Sequence, residues 1–123
     1  MNRQANRISA KPDSTSQLSQ ELLRAENDRF AGTGGVSHGN RQQGFVPAFL
    51  DTVSGRTYRA RFPDGRPAPM HLLSGLPAEL ISRQSVDGSL ITLNPGVVAG
   101  FLRDGLFYTR EQAAQAVAEV QVL

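Results

Sequence analysis

Cysteine and tryptophan are missing from this chain of 123 residues, and lysine occurs once, at Lys11, against twelve arginines. Without cysteine, a disulfide scaffold, a thiolate metal site and a cysteine nucleophile are excluded. No apolar run approaches the roughly 18 residues that a membrane span needs. The stretch 1–7 carries charge but no apolar region behind it, so a secretory leader is not expected. These absences predict a cytoplasmic protein with no membrane contact. A GC-rich coding bias accounts for the scarcity of lysine more simply than selection for guanidinium contacts.

A basic surplus on the folded part is lacking too. The formal net charge is +2, from 13 basic and 11 acidic residues. Residues 1–43 hold six basic and four acidic side chains, whereas residues 44–123 hold seven of each. A domain that grips nucleic acid usually shows its excess on the folded surface.

What is present divides the chain. Residues 1–15 are polar and unpatterned and read as a disordered tail. Residues 16–30 form a marginal helix, with Ser16 as N-cap and Leu18, Leu22, Ala25 and Phe30 near one face. About 14 residues make a weak helix in water without a partner, so fraying or weak docking is expected. Residues 31–43, with Gly32, Gly34, Gly35 and Gly39, read as a glycine-rich linker. A compact α+β domain is expected over 44–123. It would be a small antiparallel sheet or partly open barrel of four to five strands, with a C-terminal helix packed on it and a flexible N-terminal arm.

Residues 45–50 form a strand, which Pro47 assigns to a sheet edge because proline cannot donate to a ladder. Residues 56–62 alternate, placing Tyr58, Ala60 and Phe62 on one face and Thr57, Arg59 and Arg61 on the other. The stretch 63–67 closes that unit with turn chemistry. Pro77 suits the first turn of a short helix over 78–81. Asp87-Gly88 marks a turn and residues 90–93 a further strand. Asp104-Gly105 is a type I′ dipeptide that pairs Arg103 with Leu106, Leu102 with Phe107 and Phe101 with Tyr108. Both faces of this hairpin are apolar, and the last helix can cover only one. Thr109 and Gln112 form a capping box for that helix, with Ala113, Ala116, Val117, Val120 and Leu123 on its apolar face and Arg110, Glu111, Gln115 and Glu119 mostly on another. The stretch 106–114 resembles the opening of a MerR-like helix-turn-helix, but a simple N-cap explains it and no recognition helix is expected.

No motif announces catalysis. Gly35-Val36-Ser37-His38-Gly39 matches the G-x-S-x-G of a nucleophile elbow, yet no strand precedes it. His38 and His71 are the only histidines, and no carboxylates stand at ligand spacing beside them, so neither a metal nor another cofactor is expected. The candidate binding residues are Arg56, Arg59, Arg61, Arg66 and His71, the arginines facing phosphates or an acidic partner surface. Arginines on the wet face of an edge strand also block aggregation, which is the structural alternative. The expected function is a small non-catalytic interaction or regulatory module with a protein partner, with homodimerisation as a further outcome. The alternative is a nucleic-acid-binding accessory protein whose basic arm makes weak, nonspecific contacts. An enzyme ranks third.

Overall fold

The structure, a computed structural model, describes residues 17–121. Helix α1 spans Gln20–Arg29. A run of turns leads to a single-turn helix α2, Ser37–Asn40, and a 3-10 turn, Arg41–Gln43. Strands β1 (Val46–Asp51) and β2 (Thr57–Arg59) follow. Two more 3-10 turns, Leu73–Gly75 and Ala78–Leu80, precede β3 (Ile81–Gln84) and β4 (Ile91–Leu93). The chain then forms β5 (Val97–Arg103), β6 (Leu106–Thr109) and α3 (Arg110–Gln121). A four-stranded antiparallel sheet has the order β2-β1-β5-β6, and β3 and β4 form a separate hairpin. This is an α+β fold. Among the described residues no helix is long and apolar enough to cross a membrane.

The β5–β6 hairpin has the expected register, Arg103 opposite Leu106 and Phe101 opposite Tyr108. Asp104 and Gly105 sit at φ 53° and 80°, the left-handed pair that a type I′ turn requires. The capping box also forms: Thr109 Oγ accepts from the Gln112 N–H at 3.1 Å, and Gln112 Oε1 accepts from the Thr109 N–H at 2.8 Å. The expected tail over 1–15, the Ser16 cap and Leu123 lie outside the described residues.

Four other expectations are corrected. β1 is not an edge strand, since it pairs with β2 on one side and β5 on the other. Pro47 is tolerated because of where its missing N–H would point. Its carbonyl accepts from Ala60 just past the end of β2, at 2.9 Å, and the Ala60 carbonyl takes the Ala68 N–H instead, at 3.0 Å. In an antiparallel ladder a residue's N–H and C=O face the same neighbour, so the β1–β5 side loses no bond.

The N-terminal helix is capped by Ser19 and not by Ser16, the Ser19 Oγ accepting from the Leu22 N–H at 3.2 Å, and it docks on the sheet, one of the outcomes expected for it. Leu18 and Leu23 are buried with Phe49, Leu73, Leu80, Leu93 and Val97. Burying each such leucine is worth about 2 kcal/mol, which a free helix of this length lacks. Glutamines tie it down further, as Gln20 Oε1 accepts from the Ile91 N–H at 2.9 Å and Gln20 Nε2 donates to the Ser89 carbonyl at 3.0 Å. Residues 31–43 are likewise part of the folded unit, not an extended linker. Gly34 lies so close to α3 that a Cβ would collide with the Val117 side chain and come within 2.9 Å of the Ala113 carbonyl. The glycine is there for close approach. Asn40, fully buried, donates from Nδ2 to the Gly34 carbonyl at 2.7 Å.

Finally, the helix expected over 78–81 shortens to one 3-10 turn, and Ile81 opens a strand. Ser82, Arg83 and Gln84 are exposed and carry no alternation of their own. Their partner β4 imposes the extended form.

The alternation of the four-stranded sheet sorts its side chains into two faces. Pro47, Phe49, Tyr58, Val97, Ala99, Phe101 and Tyr108 point one way. α1 and the turns near Leu73 and Leu80 cover one half of that face, and α3 covers the other through Ala113 and Val117 against Phe45 and Phe101.

Candidate functional site

The opposite face carries Val46, Ala48 and Leu50 from β1, Val98, Gly100 and Leu102 from β5, Phe107 from β6, and Thr57 and Arg59 from β2. Val46, Leu50, Val98, Leu102 and Phe107 belong to neither buried cluster and all retain solvent exposure, Val98 at 38%. The Phe107 ring folds over Gly100, where any Cβ would strike it. The result is one layer of apolar side chains with no helix above it among the described residues.

Arginines border this layer unequally. Arg61 Nη1 donates to the Gly65 carbonyl at 2.9 Å. Arg66 pairs with Asp64 at 2.7 Å and stacks 5.0 Å from the centroid of Phe62. Those two guanidiniums therefore hold the turn over 63–67. Arg56 and Arg59 are exposed and take part in no ion pair among the described residues. Tyr58, Ala60 and Phe62 turn inward as the alternation requires, so no aromatic of the 56–62 segment shares the wet face with Arg59, and Phe107, the aromatic on that face, stands on β6 at the far edge of the sheet.

His71 is nowhere near these arginines. Its ring stands edge-on between Phe49 and Phe101, at 5.2 and 5.3 Å. Nε2 lies 2.7 Å from the Gly100 carbonyl, so this nitrogen carries the proton, and Nδ1 is left as the acceptor facing Arg110 Nη2 at 3.5 Å. Burial, reinforced by the Arg110 charge, lowers its pKa to about 4. A neutral imidazole with both nitrogens engaged serves as a spacer and has no lone pair to offer a substrate.

The residue that organises this region is Arg110, which alternation along α3 assigned to the polar face. It is 3% exposed. Its Nε donates to Glu26 Oε1 at 3.1 Å and its Nη1 to the Gly35 carbonyl at 2.9 Å. One side chain thus joins α1, the glycine-rich segment, His71 and the sheet. Burial raises the Glu26 pKa, with Arg110 opposing that shift, and burial lowers that of Arg110. A signal for it does exist in the sequence. A cation in the first turn of a helix opposes the helix dipole, so Arg110 needs an anion from elsewhere.

Ser37 opens α2 after residues 31–36, which form turns and extended backbone and not a strand, so the sharp strand-to-helix bend of a nucleophile elbow is not formed. Among the described residues no group of three or more His, Asp or Glu side chains gathers in metal-binding range. No protein-family model, curated protein or solved structure matches the chain.

Proposed function

We propose that the protein is a non-catalytic interaction module of the cytoplasm, docking a protein partner on the uncovered face of its four-stranded sheet. The observation that carries this reading is the layer of Val46, Leu50, Val98, Leu102 and Phe107, contiguous across three strands and outside both cores. Contiguous apolar surface of this kind marks association sites. The occupant is a protein surface with an apolar centre and an acidic rim, because Arg59 stands on the same face as the layer and forms no ion pair among the described residues. Arginine beside apolar anchors is the composition that binding patches favour.

Site-specific photo-crosslinking in cells tests the proposal. A benzophenone side chain at Leu102 should trap a second protein, and the same group at Val86, fully exposed in the β3–β4 turn, should not. The Leu102 adduct should disappear with Arg56→Gln plus Arg59→Gln. Equal trapping at both positions, or none at Leu102, overturns the reading. An adduct with another copy of the chain replaces the partner with a homodimer, and trapped nucleic acid replaces it with an accessory role on DNA or RNA.

A further inference from the structure

Beyond the sheet face, two cavities of about 280 and 500 Å³ lie side by side and share Ser37, Arg41 and Pro69. The smaller is completed by Phe45, Val46, Pro47, Arg59, Pro67 and Ala68. The larger extends along α2 and residues 69–71 to His38 and Met70. Together they form a cleft that begins where β1 starts and β2 ends. No carboxylate lines either part. Arg41 and Arg59, both exposed, form no ion pair among the described residues.

We infer that this cleft binds an extended acidic peptide segment, with carboxylates on Arg41 and Arg59 and an apolar side chain between them on the Pro47 and Pro69 walls. The inference extends the interaction-module reading to an adjoining surface that shares Val46 and Arg59 with the sheet face, and Arg41→Gln separates the two because Arg41 and His38 are not on that face. Three properties favour a peptide. Proline walls are rigid, so the cleft itself loses little freedom when a ligand binds. Guanidinium groups pair with carboxylates through charge-assisted, often bidentate, hydrogen bonds. The one phenyl ring in the lining is not free for a base to stack on, since Phe45 is packed against Phe101 and Tyr108 and covered by Arg103 at 4.3 Å. The chain's own tail is a poor occupant, because residues 1–16 carry Arg3, Arg7 and Lys11 against Asp13 alone.

The probe is a fluorescein-labelled peptide alternating Glu and Leu, with fluorescence anisotropy as readout on the full chain. Saturable binding should weaken about tenfold or more with Arg41→Gln or Arg59→Gln, the scale of one lost charge-assisted bond. Arg56→Gln, on the sheet rim, should change it less than twofold. Amide resonances of Ser37, His38 and Arg41 should shift on titration, and those of Leu102 and Phe107 should not. Circular dichroism checks that each variant folds. No binding by the native chain, no loss with Arg41→Gln in a folded protein, shifts confined to Leu102 and Phe107, or equal affinity for duplex DNA would each overturn the inference. Loss of the Leu102 crosslink with peptide binding intact would overturn only the sheet-face reading.

Discussion

Arg110, at the start of α3, and Arg59, in β2, bear the same charge and do opposite things. Arg110 is sealed on the covered side, where Glu26, the Gly35 carbonyl and His71 consume its donors. Arg59 stands on the open side with its guanidinium in water and no ion pair among the described residues. Burial decides the role of each. In a low-dielectric site a charge must be fully partnered or the fold fails, whereas at the surface a charge is nearly neutral for stability and free to meet a ligand.

The sharpest way to break this contrast is Arg110→Met. It strands the Glu26 carboxylate, the buried Gly35 carbonyl and the partly buried His71 Nδ1, and the expected loss is about 4 kcal/mol, read from chemical denaturation. A loss below 1 kcal/mol would put Arg110 in the same class as Arg59.

Acid should loosen the covered side next. His71 is neutral when folded, with a pKa of about 4 against 6.5 for the free side chain. Between those values the unfolded chain binds the extra proton, so stability falls as pH falls from 6.5 towards 4. The full span is up to about 3 kcal/mol. Glu26, raised by burial, works in the opposite direction. His71→Gln should therefore flatten or reverse the slope, and an unchanged slope would free His71 of any part in it.

Gly34→Ala tests whether the glycine-rich segment belongs to the folded unit. Crowding against Val117 and Ala113 should cost about 2 kcal/mol, whereas in a free linker the same change would cost nothing. The smallest effect is expected on the open side. Arg56→Gln with Arg59→Gln should shift stability by no more than about 0.5 kcal/mol, measured by thermal melting, while abolishing the Leu102 crosslink.

Much of the fold was readable because its signals are local. The Asp104-Gly105 turn, the Thr109–Gln112 capping box and the in-out alternation from Tyr58 to Phe62 each depend on residues a few positions apart. Pro47 misled because whether a missing donor matters depends on which neighbouring strand it would face. The glycines misled because close approach and flexibility favour the same residue. Of the candidate binding residues, Arg56 and Arg59 remain available, Arg61 and Arg66 are occupied by their own turn, and His71 lines one end of the cleft with both ring nitrogens engaged inside the protein.

Composition and short-range pattern by themselves determined the α+β class, the last hairpin with its register, and the capped final helix, since backbone geometry and nearest-neighbour hydrogen bonds set these. Only the tertiary structure decided that α1 and residues 31–43 join the core, that Glu26 meets Arg110 across 84 positions of chain, and that no described helix covers one face of the sheet. Those outcomes rest on burial and on partners far away in sequence, and no local window contains either.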